Sequence, residues 1–426
     1  MATVMSPVRE RSAGSWRRVA VAMFAVGWGA NQFSPLLIEY RHELSLSAGT
    51  LAGVFAIYAA TLIPGLLIGG PVSDRIGRRP VVLPFVVLSP LATLMLMLGP
   101  RSLPVIAVGR ALAGLCSGVV FGAATAWVQD VSPDEGPSNG LSVRRSALAL
   151  TAGFGLGPVV AAGLAQWASD PLVVPYLPHL VIGTAAAAVL AGTPEGTASR
   201  SPARVRPVAT ARRWPPAAVR TRQFWLAVAP GSPLVFGSVA LAIVVLPEEV
   251  TSARTLSAGF AGLMTALSFA AGVAVQSFAR RLRDMLAGVV AGLVCAAAGC
   301  AVGIAAVASA DRVLAGVAAV FLGLAYGLCL VSGLRQAEHM ASPDERGAVI
   351  ACYYAVAYLG FAVPYLAAGL GALAGKTGAF VALTAIIAAL ALWTAGYAAS
   401  LRRSSGRPED DANVRWSRRN HDSVSR

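Results

Sequence analysis

The stretch Gly69–Pro80, GGPVSDRIGRRP, places four charged residues between two long apolar runs. The charged residues are Asp74, Arg75, Arg78 and Arg79. The flanking runs, residues 44–73 and 80–100, contain no Asp, Glu, Lys or Arg, and each is long enough to cross a bilayer as a helix. Charge is unfavourable inside hydrocarbon, so the stretch predicts a short loop at a membrane surface between two spanning helices.

The rest of the chain repeats this alternation of apolar runs and charged connections. Of its 426 residues, 56% are hydrophobic and 13% are charged, about half the charged fraction that is typical of soluble domains. Twelve runs of at least 19 residues contain no Asp, Glu, Lys or Arg. They are 19–38, 44–73, 80–100, 111–129, 146–169, 171–194, 223–247, 255–279, 285–310, 313–334, 347–375 and 377–401. Because an isolated strand would leave backbone groups unpaired in lipid, the runs predict an all-α polytopic membrane protein with twelve transmembrane helices.

The basic residues predict how the chain is oriented in the membrane. There are 34 Lys and Arg, and the formal net charge is +14. With the N-terminus inside, only five of these bases fall in outer loops, so both termini are predicted to be cytoplasmic in a plasma or inner membrane. The bases lie in loops and tails rather than on one helical face, which favours anionic lipids as a partner and argues against nucleic acid.

The arrangement of the runs predicts two related halves. The tetrapeptide at 132–135 recurs at 342–345, and the one at 161–164 recurs at 367–370, in the same order. The predicted domains are a cytoplasmic N-terminal tail at 1–18, a six-helix bundle at 19–193, a basic cytoplasmic linker at 194–222, a second six-helix bundle at 223–401 and a disordered cytoplasmic tail at 402–426. Duplicated membrane proteins commonly bind substrate between their halves near the bilayer midplane, so we expect a monomer with a small-molecule site there.

Two groups of six spans, with a charged loop after the second span, resemble the major facilitator superfamily up to about residue 400. The segment Gly70–Pro80 carries Gly, three residues, Asp-Arg, any residue, Gly and two bases, which is similar to that family's signature between helices two and three. The resemblance implies two pseudo-symmetric six-helix bundles and a transporter, not an enzyme, with no metal site and no cofactor. Gly70 and Gly77 are expected to let backbones approach or turn tightly, and Asp74 to accept hydrogen bonds at the start of a neighbouring helix.

The resemblance also implies a conformational latch at this loop. Arg78 and Arg79 can bind carboxylates, helix-end carbonyls or lipid phosphates, and Asp130, at the end of the fourth helix, is expected to join them. The latch residues are Gly70, Asp74, Arg75, Gly77, Arg78, Arg79 and Asp130. Such contacts would hold the halves together in an outward-open state. The alternative for Arg75 and Arg79 is that they only fix the orientation of the chain in the membrane, as cytoplasmic basic residues do. The equivalent loop of the second half, Ala279–Asp284, lacks the glycine pattern.

The fourth helix is expected to begin near Leu103 and to carry Arg110 inside the membrane. Arg110 lies in Gly109–Gly114, a segment that resembles the family's R-x-x-x-G pattern, and a charge at that depth is a functional candidate. Asn31 and Gln32 lie at a similar depth in the first helix, so the three side chains predict a polar cluster facing the cavity, with a role in coupling. The alternative is a structural arginine bonded to carbonyl groups.

The fifth helix contains Gly153–Gly163, GFGLGPVVAAG, which is similar to the family's antiporter-associated G-x-x-x-G-P-x-x-G-G motif. It departs from that motif by Ala161 at the first position of the final pair, or by a shift of one residue. Its packing residues are Gly153, Gly157, Pro158 and Gly163. Small residues four positions apart allow close helix contact, and Pro158 supplies a bend. The motif favours export, with general helix packing as the alternative.

The same resemblance predicts a substrate cavity among helices one, four, seven and ten, with aromatic candidates on helices seven, ten and eleven. They are Phe236, Tyr326, Tyr353, Tyr354 and Tyr358. Such a cavity suits an amphipathic organic compound, whereas Arg110 suits an anionic group. No Asp or Glu lies deep in the runs, so a coupling proton would be carried by Asp74, Asp130 or Glu39, or by the substrate. The predicted function is proton-coupled efflux by alternating access; the alternatives are proton-coupled uptake of a metabolite and a non-transporting receptor or scaffold.

Overall fold

The computed structural model describes residues 14–99, 102–132, 141–195, 215–251, 258–342 and 345–405. Every regular element in these ranges is helical. The predictions for the N-terminal tail, the basic linker, the C-terminal tail and the tetrapeptides at 132–135 and 342–345 fall wholly or partly outside the described residues.

The described part of the first half contains six long helices. They are α1 (Ser15–Asn31), α2 (Ala48–Ile76), α3 (Arg78–Leu98), α4 (Leu103–Asp130), α5 (Leu141–Trp167) and α6 (Leu177–Ala191). α4 starts at Leu103 and encloses Arg110, as the sequence predicted. After α1 the chain makes a 3₁₀ turn at Ser34–Leu36 and a short helix at Leu37–Leu44. The run to residue 38 is therefore not one regular helix, since Pro35 lacks the N–H that an uninterrupted helix needs.

The second half contains six further helices. They are α7 (Phe224–Val250), α8 (Ala258–Arg281), α9 (Met285–Ser309), α10 (Arg312–Met340), α11 (346–374) and α12 (376–405). α7 contains π-helical turns at Phe224–Val228 and Leu241–Val245, and α11 contains a 3₁₀ turn at Leu359–Ala362. Gly375 separates α11 from α12 with a φ of 75°, a conformation that glycine adopts without steric cost.

The described chain accounts for the twelve predicted spans. Ten helical ranges are long and apolar enough to cross a membrane, and one of them, Ala348–Arg403, holds both α11 and α12. The first predicted span corresponds to α1, whose 17 residues are not among these ten ranges. Two predicted boundaries are wrong, because α1 begins inside the predicted N-terminal tail and α12 runs to Ser405, inside the predicted disordered tail. Charged residues are tolerated where a helix leaves the bilayer, so charge-free runs underestimate helix length.

In the first half, α4 packs on α2 through a pair of glycines. A Cβ atom at Gly114 would lie 2.1 Å from the carbonyl oxygen of Tyr58, and one at Gly118 would lie 2.2 Å from that of Leu62. Real Cβ atoms do not approach carbonyl oxygens so closely, so only glycine allows the two backbones this separation.

In the second half, α10 packs on α8 in the same way. A Cβ atom at Gly323 would lie 2.1 Å from the carbonyl oxygen of Ser268, and one at Gly327 would lie 2.2 Å from that of Gly272. Each glycine of this pair follows its counterpart in α4 by 209 positions, so the two halves repeat one helix–helix contact at one spacing.

The two halves meet where α5 lies against α8 and α2 lies against α11. A Cβ atom at Gly262 would lie 2.4 Å from the Cβ of Ala162. The helices alternate in direction, so Gly77, between α2 and α3, lies on one face of the bundle and Glu248, at the end of α7, lies on the other. We call these the Gly77 face and the Glu248 face.

Candidate functional site

The loop between α2 and α3 turns at Gly77. Its φ of 106° and ψ of 157° lie where L side chains are rarely found. A Cβ atom here would also lie 3.2 Å from the carboxylate of Glu195. Gly77 is therefore required by its backbone conformation, as the sequence predicted.

Glu195 binds the start of α3. Its carboxylate accepts hydrogen bonds from the backbone N–H of Arg78 at 2.6 Å and of Arg79 at 3.2 Å. The first N–H groups of a helix lack partners within the helix, and the helix dipole favours an anion there. This role was predicted for Asp74 at a neighbouring helix, but at the start of α3 it belongs to Glu195. Glu195 follows α6 and lies more than a hundred positions from Arg78 in the sequence.

Arg78 links the last turn of α2 to the end of α4. Its guanidinium lies 2.5 Å from Asp74 Oδ1 and 3.1 Å from Asp130 Oδ2, and it donates to Ser73 Oγ at 2.7 Å. The Arg78 side chain is 15% exposed, and that of Asp74 is 63% exposed. These partners all lie in the first half, so the contact across the halves that defines a latch remains a prediction.

The other latch candidates occupy different surroundings. A Cβ atom at Gly70 would meet nothing within 4 Å, so the close approach expected there is instead found at Gly69, whose Cβ would lie 2.8 Å from α4. Arg79 donates to the carbonyl oxygen of Ala191 at 2.5 Å, at the end of α6, which matches the predicted binding of a helix-end carbonyl. Arg75 is exposed.

Replacing Gly77 with alanine is expected to lower the thermal stability of the purified protein. A side chain there meets an unfavourable φ, which costs about 1–3 kcal/mol, and it crowds Glu195 away from the start of α3. Glu195→Gln should have a smaller effect in the same direction, since a charge at a helix terminus contributes about 0.3–1 kcal/mol. Melting of both variants in detergent, with Gly70→Ala as the matched control, checks this. Equal melting temperatures for Gly77→Ala and Gly70→Ala would contradict it.

The equivalent loop of the second half is built differently. Asp284 accepts a hydrogen bond from Ala287 N–H at 3.0 Å, at the start of α9, and pairs with Arg402. Partial burial alone would raise the pKa of Asp284, but these hydrogen bonds and the Arg402 charge outweigh burial and lower it. Arg335 donates to three carbonyl groups between Ala279 and Leu282 at the end of α8. The second-half loop, which lacks the glycine pattern, is therefore held by contacts different from those of the loop around Gly77.

Arg110 is buried between α4, α1 and α2. It donates to the carbonyl oxygens of Ala30 at 3.2 Å and Phe55 at 3.4 Å. Its guanidinium carbon lies 4.6 Å from the ring centroids of both Phe33 and Tyr58. Ala30 belongs to the last turn of α1, where carbonyls lack helical partners and the dipole favours a cation. These contacts match the alternative of an arginine bonded to carbonyls.

The hydrogen bonds described for Asn31 and Gln32 go to helices other than α4, so the polar cluster with Arg110 stays a prediction. Asn31 donates to the carbonyl oxygen of Phe154 in α5 at 3.2 Å. Gln32 donates to Thr93 Oγ1 in α3 at 3.0 Å. Consecutive helical residues point about 100° apart, which is why Asn31 and Gln32 bond to different helices.

The α5 motif packs against α1. A Cβ atom at Gly153 would lie 2.3 Å from the carbonyl oxygen of Phe24, and one at Gly157 would lie 2.7 Å from that of Trp28. Pro158 lies inside α5. At Gly163 a Cβ atom would meet only ordinary contact, 3.7 Å from its neighbour, so this glycine is not needed for packing.

An aromatic cluster joins the halves between α7, α11 and α2. Phe236 and Tyr358 stack with centroids 4.4 Å apart, and Phe361 stacks on Phe236 at 5.1 Å. Phe55 and Tyr58 of the first half contact Phe361 at 5.1 and 5.7 Å. We call these five rings the aromatic cluster.

The remaining predicted cavity residues divide into two groups. Tyr354 borders the aromatic cluster, with its ring centroid 6.4 Å from that of Tyr358. Tyr353 is fully buried and donates to the carbonyl oxygen of Cys329 at 2.9 Å, and Tyr326 packs on Phe269 of α8. Tyr353 therefore packs inside the second half, whereas Tyr326 also meets Thr151 of α5 in the first half.

The fold and this arrangement agree with a known family. The model of the Major Facilitator Superfamily matches residues 19–239, just over half of the chain. The chain belongs to the Major Facilitator Superfamily. As a member, it is a multi-pass membrane protein and a secondary transporter.

Solved structures of transporters share its fold. The peptide transporter POT in complex with sulfate has a TM-score of 0.74 at 15% identity and covers 92% of this chain and 95% of that chain. A mutant of the nucleoside transporter NupG has a TM-score of 0.70 at 10% identity and covers 90% of this chain and 99% of that chain. At these identities the likeness concerns the fold alone.

Two relatives from Escherichia coli match shorter segments of this superfamily member. Multidrug resistance protein D of strain K12 is 34% identical over 100 residues, which are 23% of this chain and 25% of the relative. Multidrug resistance protein MdtL of strain K12 / DH10B is 29% identical over 140 residues, which are 33% of this chain and 31% of the relative. The matches thus span a quarter to a third of these relatives.

Three residues of the candidate site were not identified from the sequence. Glu195 follows the sixth apolar run in an Arg-rich linker, and this isolated carboxylate was the available signal. Phe55 and Phe361 carried no signal, because aromatic residues in apolar runs pack in every direction. Within the described ranges, no cluster of His, Cys, Asp and Glu is arranged to hold a metal ion.

Proposed function

We propose that this major facilitator transporter exports amphipathic organic compounds in exchange for protons. The observation that carries the proposal is the aromatic cluster at the boundary between the halves. Phe236, Tyr358 and Phe361 lie with nearly parallel rings, and Phe361 touches the first half. A planar, largely apolar compound can replace these ring contacts when the halves separate.

Charge next to the aromatic cluster bears on the substrate class. The Arg110 guanidinium lies over the ring of Tyr58, so a positive charge borders the cluster. An anionic group on the substrate would be attracted by it, whereas a cationic amphipath would depend on the rings alone. Comparing the two kinds of compound in one transport assay separates these cases.

Two features support export over uptake. The relatives that match part of the chain are named as multidrug resistance proteins. Gly153 and Gly157 pack closely on α1 within the segment that resembles the antiporter motif. Proton-coupled uptake of a metabolite remains the second candidate, and the direction of movement distinguishes it.

The coupling proton is carried in this proposal by Asp74, Asp130 or Glu39, or by the substrate. Asp74 and Asp130 both pair with Arg78, so a proton on either carboxylate would weaken a contact between α2 and α4. The predicted latch works through the same residues, with Arg78 exchanging these partners for others in the second half. The Gly77 face is then cytoplasmic, and its exposed Arg402 and Arg403 contact anionic lipids.

Inverted vesicles with an acidic interior are expected to accumulate a fluorescent planar aromatic amphipath, and a protonophore should abolish the accumulation. Tyr358→Ala should raise the half-saturating concentration about two- to tenfold, because a ring pair contributes about 0.5–1.5 kcal/mol. The matched control is Trp393→Ala, an exposed aromatic on α12, which should leave it unchanged. Gradient-driven loss from the vesicles would favour uptake, and gradient-independent fluxes for every compound would refute proton coupling.

A further inference from the structure

A groove lies between α9 and α12 on the surface of the second half. Its volume is about 440 Å³, and small-molecule sites usually enclose about 300–1,000 Å³. The α12 side of the groove is one helical face, because its residues lie three, four and seven positions after the first one. They are Ala395, Ala398, Ala399 and Arg402.

Small side chains leave the apolar length of the groove open. Three of the four residues on the α12 side are alanines, whose methyl groups do not fill the space beside α9. On the α9 side the groove extends from Ala287 to Cys295, eight positions or about 12 Å along the helix. Val294, within this stretch, is 54% exposed, so the groove is open along one side. Both helices span the membrane, so the open side meets hydrocarbon.

The end of the groove at the Gly77 face is basic. Arg402 lines the groove there, and its side chain is 65% exposed. It pairs with Asp284, which also accepts a hydrogen bond from Ala287 N–H at the start of α9. The sequence segments 279–285 and 400–403 carry five arginines against this one carboxylate. Because a guanidinium has five N–H donors, one carboxylate cannot occupy all of them, and Arg402 can bind a second anion.

We propose that this groove binds an anionic phospholipid from the leaflet at the Gly77 face: an acyl chain lies along Ala395 and Ala399, and the phosphate binds Arg402. The alanine-lined length is apolar, and the phosphate oxygens accept charge-assisted hydrogen bonds from the guanidinium. A zwitterionic phospholipid has the same chains, but the arginines repel its ammonium group. The site locates, and rests on, the lipid contact within the proposed function, and it does not depend on the substrate, the direction of transport or the coupling ion.

Photolabelling in nanodiscs of phosphatidylcholine tests the site. The probes are a phosphatidylglycerol and a phosphatidylcholine that carry the same diazirine in one acyl chain, and the labelled positions are mapped by mass spectrometry of peptides. The phosphatidylglycerol probe should label the stretches 287–295 and 395–399 about fivefold more than the phosphatidylcholine probe, the preference that one arginine near an anionic headgroup provides.

Two substitutions that break the same ion pair should have opposite effects. Arg402→Gln removes the cation, so labelling by phosphatidylglycerol should fall about fivefold, to the level of phosphatidylcholine. Asp284→Asn removes the competing carboxylate but keeps a side chain that can cap α9, so the labelling should rise. The matched control is Arg403→Gln, an equal loss of charge beside the groove, which should keep most of the preference. A similar fall in both Arg402→Gln and Asp284→Asn would overturn the lipid site, because the ion pair would then only hold the two helices together.

The apolar part of the groove is tested by Ala395→Leu, whose larger side chain fills it. Labelling of the two stretches by both probes should fall. Ala389→Leu, at an exposed alanine of α12 outside the groove, should leave the labelling unchanged. A dimer that Ala395→Leu separates, with no labelling of the groove, would assign the groove to a second copy of the chain and overturn the proposal.

The unaltered protein supplies the last distinction. Equal labelling by the two probes would overturn the proposal, because the groove would then hold any phospholipid. The expected labelling together with failed vesicle transport would retain the lipid site and refute the proposed export function. Proton-driven transport without the headgroup preference would retain export and refute the lipid site.

Discussion

Arg110→Ala is expected to reduce transport to below about a tenth of the unaltered rate and to lower the melting temperature. The guanidinium binds the Ala30 and Phe55 carbonyls and lies over the Tyr58 ring, so its loss separates contacts that hold α1, α2 and α4 together. A carbonyl left unpaired in a buried site costs about 1–3 kcal/mol. Tyr58 also touches Phe361 across the halves, so the effect reaches the aromatic cluster.

The transport rate per folded molecule distinguishes a functional role of Arg110 from a purely structural one. The assay uses vesicles with equal amounts of monodisperse protein, and melting is measured in parallel. Arg110→Lys should restore little, because an ammonium cannot reproduce the two-pronged donation of a guanidinium to two helices. Arg75→Ala, at an exposed position, is the control. Normal turnover of the folded Arg110→Ala fraction would contradict a functional role and leave only a structural one.

Gly118→Leu is expected to give no folded protein, and Gly118→Ala to lose about 1–3 kcal/mol of stability although alanine favours helix. A Cβ atom at Gly118 would lie 2.2 Å from the Leu62 carbonyl oxygen, a rigid backbone atom that can yield only if α2 and α4 separate. Gly327→Ala should have a matching effect, because it meets the Gly272 carbonyl at the same distance in the second half.

Melting of the purified variants checks this pair. Gly369→Ala, in α11, is the control, since a Cβ atom there meets nothing within 4 Å and the change should be neutral or slightly stabilising. A Gly118→Ala protein as stable as Gly369→Ala would mean that α2 and α4 have room to separate. A loss confined to one half would show that the two glycine pairs are not equivalent.

The positions of the helices could be predicted from the sequence. Charge-free runs located the helices α1 to α12, and α4 begins at Leu103 in spite of the arginine within it. The end of α1 at Asn31 and the π-helical turns within α7 were not predicted. Pro35 lies beyond the end of α1, but Pro158 lies inside a continuous helix, so a proline alone does not tell a kink from a break.

The partners of the polar side chains could not be predicted in the same way. Asp74 was expected at the start of a neighbouring helix, but it pairs with the Arg78 side chain, and Glu195 binds the start of α3. Asn31 and Arg110 lie at similar depth but point to different helices. Depth follows from counting residues along a helix, whereas direction depends on how each helix is rotated against its neighbours.

The amino-acid sequence alone predicted twelve long helices, their bounds to within about seven residues, and a tight turn at Gly77. These properties are local. Whether a segment can lie in hydrocarbon depends on its own residues, and a backbone dihedral angle depends on the residue that adopts it. Only the tertiary structure decided that Glu195 binds the start of α3, that Arg110 binds the end of α1, and that Arg41 meets Glu248 across the halves. Those contacts join residues more than fifty positions apart, and packing geometry rather than local composition brings them within hydrogen-bond distance.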